Sequence, residues 1–131
     1  MTLEDELTSA AAQGHTAEVS RLLQAGAQVN GVNRFGRSAV QVMMMGSTPV
    51  AEVLLRHGAD PNVADRRTGA TPLHDAARAG FLDTVRLLVN YKADPRAKDK
   101  ANCQPIDLAR KSGLTDVVAY LECVLSGNSG L

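Results

Sequence analysis

The sequence predicts an all-α protein made of four tandem helix-turn-helix repeats joined by β-turn, hairpin-like loops. Three observations carry that reading. The chain matches itself at a fixed period: Leu7 to Gly14 (LTSAAAQG) lies over Leu73 to Gly80 (LHDAARAG) at an offset of 66, and Gln104 to Gly113 (QPIDLARKSG) lies over Thr71 to Gly80 at 33. Within a unit, two short helical stripes flank a turn residue, most often glycine. Aromatic residues make up only 3% of the chain and Trp is absent, so the core must be built from Ala, Leu and Val. That suits thin stacked helices better than a sandwich or a barrel. The repeats fall at about 3–33, 34–65, 66–99 and 100–125 within one domain, 1–131, and the small polar tail 126–131 is expected to be flexible.

The third repeat is the clearest unit and reads DRRTGATPLHDAARAGFLDTVRLL from Asp65 to Leu88. Thr71 caps the first helix through its hydroxyl, and Pro72 suits the first helical position because the amide hydrogen it lacks would be unpaired there. His74 reads as structural, bonded to neighbouring backbone in the turn, rather than as a base or ligand. Ala76 and Ala77 let helices approach closely and cost little in a helix. Gly80 ends that helix with a positive φ. Leu82, Val85, Leu87 and Leu88 then form the buried stripe of a second helix. Thr-Pro-Leu-His with two alanines and a glycine after it opens an ankyrin-type repeat, so the architecture is an ankyrin-repeat solenoid.

The other repeats can be laid on this one. In repeat one, Val19 and Leu22 fall on Val85 and Leu88, and in repeat four Pro105, Ala109, Val118 and Leu121 fall on Pro72, Ala76, Val85 and Leu88. Repeat two breaks register. Ser38 to Gly46 (SAVQVMMMG) has nine residues where the repeats after it have ten, and β-branched Val40 and Val42 weaken a helix further. Its first helix is therefore expected to be little more than one turn. The connections Asn33 to Gly36, Asp65 to Gly69 and Asp99 to Asn102 hold turn residues and should project to one side, forming a concave surface with the first helices.

Composition narrows the function. The chain has 14 basic and 14 acidic residues, so it lacks the basic excess of a nucleic-acid or anionic-membrane binder. Arg66-Arg67 and Lys98 to Lys100 read as solvated loop charges. Two cysteines, Cys103 and Cys123, make no disulfide framework and have no companion ligands at metal spacing. The N-terminus MTLEDELTSA has no apolar run and no stretch is long enough to span a membrane. An intracellular protein is expected. No nucleophile elbow, phosphate loop or dinucleotide fingerprint is present, so neither catalytic residues, cofactor nor metal are expected.

Several residues have both a plain and a functional reading. Asp75 sits in the first turn of a helix, where any carboxylate gains about 0.3–1 kcal/mol from the helix dipole, and a partner contact is an equal alternative. Asp83 has the same two readings, and Asp65 is either a turn residue or part of an acidic edge with them. Met43, Met44 and Met45 cannot all face inward from a short helix, so one fills core and one or two line the surface. Phe81 comes directly after the helix-ending Gly80, at a position held by His15 and Leu114 in other repeats; core packing is the default there, and a partly exposed anchor is preferred.

The stretches GVNRFGR from Gly31, QVMMMG from Gln41, VAEVLL from Val50, HGA from His57, and HDAAR with GFLDT from His74 together resemble one family, the small four-repeat ankyrin inhibitors of the cyclin-dependent kinases that start the G1 phase. The Thr-Pro-Leu-His pattern marks ankyrin repeats generally; the triple-Met run on a shortened helix is the specific part. The resemblance covers about Leu7 to Leu121. It implies a non-enzymatic, monomeric inhibitor of cyclin-dependent kinases 4 and 6, found in cytoplasm and nucleus. Such an inhibitor binds beside the ATP cleft, twists the kinase lobes apart and opposes cyclin D. By position it assigns the contacts to Gln41, Asn62, Asp65, Asp75, Arg78, Phe81 and Asp83, with Met43, Met44 and Met45 alongside. One acidic contact of the family falls on Ala17 here. A generic ankyrin scaffold for a different protein partner is the alternative.

Overall fold

A computed structural model describes residues 1–127. Those residues form eight α-helices: α1 (Leu3–Gln13), α2 (Thr16–Gln24), α3 (Ala39–Val42), α4 (Thr48–Arg56), α5 (Pro72–Ala79), α6 (Leu82–Asn90), α7 (Pro105–Lys111) and α8 (Thr115–Leu125). Their only extended pairing is one antiparallel bridge, Val32 to Ser38. The chain divides into two compact units, Met1–Pro61 and a second from Asn62 onward. In the first, α1 packs on α2 and α3, and α4 packs on both of these. In the second, α5 packs on α6 and α7, while α8 covers α7 and touches α6.

Helix ends fall at the residues that the sequence marks. Thr71 accepts from the backbone N–H of His74, Pro72 opens α5, and Gly80 closes it at φ 83°. Gly14 closes α1 in the same left-handed conformation at φ 76°. His15, Phe81 and Leu114 occupy equivalent helix-entry positions with nearly the same backbone angles. The loops share a device. Asn33 Oδ1 accepts from the N–H groups of Phe35 and Arg37, Asp65 Oδ1 from Arg67 and Thr68, and Asp99 Oδ1 from Ala101 and Cys103. Each oxygen holds its turn closed from within.

The core is aliphatic. Leu7, Val19, Leu22 and Leu54 in the first unit, and Leu73, Val85, Leu88 and Leu121 in the second, are almost wholly buried. Each such side chain contributes about 1.5–3 kcal/mol by burial. The repeat register holds through α8, with Leu121 buried like Leu88 and Val117 buried like its counterpart Thr84, and among the buried positions only one differs. The repeat alignment sets Val118 on buried Val85, yet Val118 is half-buried. Val118 lines a rim with Ala119 and Glu122. At the C-terminus Ser126 and Gly127 belong to the closing turn of α8, with Ser126 N–H on Glu122 and Gly127 N–H on Val124. The rest of the expected tail, 128–131, lies outside the described residues.

Candidate functional site

Helix α3 is four residues long, as the nine-residue spacing requires. The chain leaves it at Met43 in an extended conformation (φ −55°, ψ 152°), and Met44 N–H donates to the Ala11 carbonyl of α1 at 2.9 Å. The stub is therefore finished by its neighbour helix instead of by its own next turn. The three methionines divide by environment. Met43 is 3% exposed and fills core, Met45 is half-buried, and Met44 is 47% exposed. Met44 also lies over the end of α1, where a Cβ on Gly14 would meet its Sδ at 2.9 Å. Gln41 is half-buried. Its Oε1 accepts from the Ser38 N–H at 2.8 Å and the Ser38 hydroxyl at 3.3 Å, so this oxygen caps its own helix.

Phe35 is a surface feature that the sequence reading does not single out. It is 71% exposed at the tip of the 33–37 loop, with the Arg34 guanidinium 5.1 Å from its ring centre. The loop is fixed at its base by Arg34 N–H donating to Asp5 Oδ1. Hydrogen bonds from the Thr2 and Arg34 backbone hold the Asp5 carboxyl below its usual range. Beside Phe35 runs an open groove of about 320 Å³, lined by Asp5, Thr8, Ala12 and Val42 among others. A signal for it exists in the sequence, since Phe35 is one of only two phenylalanines and sits in a turn.

The other predicted contacts belong to the second unit. Asn62 spans two turns, Nδ2 donating to Lys92 O at 3.0 Å and Oδ1 accepting from Asp94 N–H at 2.7 Å. Asp65 is the loop-closing carboxylate described above. Both therefore have a structural task. Asp75 and Arg78 face each other one turn apart on α5, with Arg78 Nη2 2.7 Å from Asp75 Oδ1. Burial pushes the Asp75 carboxyl above its ordinary value; Arg78 opposes this and the Asp65 charge adds to it. Asp83 is exposed in the first turn of α6, and Phe81 is 43% exposed at its entry. The structure thus brings Asp75 together with Arg78 and within charge range of Asp65, while Asp83 and Phe81 are exposed at the start of α6.

The residues assigned to structure hold the second unit together. His74 is fully buried. Its Nδ1 accepts from Thr71 N–H at 3.1 Å, so the proton sits on Nε2, which donates to Cys103 O at 2.8 Å. Gly80 is required twice over, by its φ and because a Cβ there would lie 3.0 Å from a Leu114 methyl. Among the described residues no three His, Cys, Asp or Glu side chains group to hold a metal, and no helix is long and apolar enough to cross a membrane.

Comparison with known proteins places this arrangement. A family model for ankyrin repeats in three copies matches residues 42–124. The chain is 54% identical over 118 residues to cyclin-dependent kinase 4 inhibitor B of Homo sapiens, covering 90% of this chain and 86% of that protein. It is 49% identical over 126 residues to cyclin-dependent kinase inhibitor 2A of Homo sapiens, covering 96% and 81%. The chain belongs to the ankyrin-repeat cyclin-dependent kinase inhibitors. A further member of that family, cyclin-dependent kinase inhibitor 2A of Monodelphis domestica, is 50% identical over 92% of this chain and 71% of its own length. The family expected from the triple-Met run and the HDAAR stretch is thus the family found.

Proposed function

We propose that this chain inhibits cyclin-dependent kinases by direct protein contact, taking kinases 4 and 6 as partners. It is monomeric and non-enzymatic, and it works in the cytoplasm and nucleus where those kinases act. The observation that carries the reading is the 54% identity over 90% of the chain to cyclin-dependent kinase 4 inhibitor B. Asp75 is the contact we single out: burial raises its carboxyl's pKa, and Arg78, 2.7 Å away, opposes this only in part. A carboxylate held in spite of that burial suits a partner that supplies a cation, and the bidentate geometry of an arginine is the natural match. Membership in the inhibitor family supports the kinase as that partner.

The mechanism we propose is a population shift. Met44 in the first unit and Phe81 in the second act as apolar anchors, and Asp75, Arg78 and Asp83 supply charged contacts. Together they favour a kinase conformation in which the catalytic Lys–Glu pair does not assemble, so cyclin D and ATP bind less well. Gln41, Asn62 and Asp65 contribute at the edge of the contact while they hold their own cap and turns. Gel filtration of the chain with purified kinase 4 tests this. A one-to-one complex that cyclin D displaces is expected; separate elution of the two proteins would overturn the proposal.

A further inference from the structure

Asn30 ties two turns of the first unit together. Its Nδ2 donates to the Gly58 carbonyl at 3.0 Å, and its Oδ1 accepts from the Asp60 N–H at 2.8 Å. Asn62 repeats the device in the second unit. The two clamps differ in the next residue along the chain: Gly31 after Asn30, Val63 after Asn62. Glycine leaves its amide nitrogen unshielded by any side chain, which opens an Asn-Gly pair to attack on itself. We propose that Asn30–Gly31 is a deamidation site whose conversion breaks the donor half of the clamp between the first and second repeats.

The chemistry needs only water. The Gly31 nitrogen loses its proton and attacks Asn30 Cγ, the new N–Cγ bond closes a five-membered imide, and the Cγ–Nδ2 bond breaks to release ammonia. One water then opens the imide, leaving an aspartyl or isoaspartyl residue at position 30. Asn30 is exposed, so solvent reaches its side chain and the clamp. Packing keeps the susceptible pair in place. A Cβ on Gly31 would lie 2.5 Å from Glu4 Cγ and 3.1 Å from the Gln28 carbonyl, so the fold demands glycine there. The clamp in turn demands a side chain that donates and accepts together.

Conversion removes the donor. An anionic oxygen then faces the Gly58 carbonyl and that bond is lost, while the other oxygen can still accept from Asp60 N–H. In the closed state the pair is protected, because Gly31 N–H is held by Gln28 O at 3.0 Å and both amide atoms of Asn30 are engaged. The reaction therefore runs from the opened turn, and its rate reports how often that turn opens.

Peptide mapping of the full chain, incubated in mildly alkaline buffer, tests the proposal, with isoaspartate content measured in parallel. Asn30 is expected to convert several-fold faster than Asn62. Asn30→Asp should lower the thermal midpoint, since the bond to the Gly58 carbonyl is replaced by two facing acceptors. Gly31→Ala, though less stable, should convert more slowly than the natural pair. Equal rates at Asn30 and Asn62, an unchanged midpoint in Asn30→Asp, or undiminished conversion in Gly31→Ala would each overturn it. None of these readouts depends on kinase binding.

Discussion

Asp75 and His74 are neighbours in sequence with opposite effects on the fold. Asp75 has its pKa raised mainly by burial, so the charged form is disfavoured in the folded state. Stability linked to it is fully present below the ordinary value of 3.8 and is lost as pH rises through the raised folded value. At neutral pH the charge is a net cost. Asp75→Asn should therefore melt at the same temperature as the natural protein or higher, and a lower midpoint would count against this account. Asp5 has the opposite sign. Its lowered pKa adds stability above 3.8 that is lost as pH falls, so acid should loosen the α1 cap and the 33–37 loop. His74 is satisfied at both ring nitrogens and fully buried. Replacing it by Ala strands Thr71 N–H, at about 1–3 kcal/mol for a buried group left unpaired, while Cys103 C=O keeps the Asp99 N–H. Chemical denaturation should show a loss of that size.

At the scale of elements, α3 decides the character of the first unit. Its length is legible in the sequence because a nine-residue spacing among ten-residue ones leaves no room for a second turn. What the spacing does not encode is how the stub ends. That depends on Ala11 offering a carbonyl to Met44 and on Gly14 leaving space for its sulfur. Gly14→Ala is therefore predicted to act on two elements together. The left-handed φ costs about 1–2 kcal/mol for a residue with a Cβ, and the added methyl displaces Met44. Both the thermal midpoint and kinase affinity should fall, and a protein unchanged in both would contradict the link between α1 and α3. The family resemblance likewise assigns Gln41, Asn62 and Asp65 by position. Periodicity reports which face a residue occupies, but not which of its polar atoms its own backbone consumes, and in all three the nearby backbone takes at least one. Phe35 escapes such a reading because a turn residue carries no helical periodicity.

For the molecule as a whole, the repeat architecture and the aliphatic core are legible because self-similarity and the shortage of aromatics are properties of the entire chain. The half-burial of Val118 is not, since a terminal helix has a neighbour on one side only. With a core of Leu, Val and Ala, stability should sit toward the lower end of the common range of about 5–15 kcal/mol. Leu54→Ala, at a fully buried position, should remove about 2–5 kcal/mol and abolish inhibition by unfolding the first unit. A well-folded Leu54→Ala protein with lost inhibition would contradict that cause. The central claim is that Asp75 serves a kinase and not the fold, and calorimetric titration of purified cyclin-dependent kinase 4 tests it most directly. The natural chain should bind one-to-one, and Asp75→Asn, folded and no less stable, should bind at least about tenfold more weakly, as expected on breaking a buried charged contact. Equal affinity in the two proteins, or no heat of binding from the natural chain, would contradict the account.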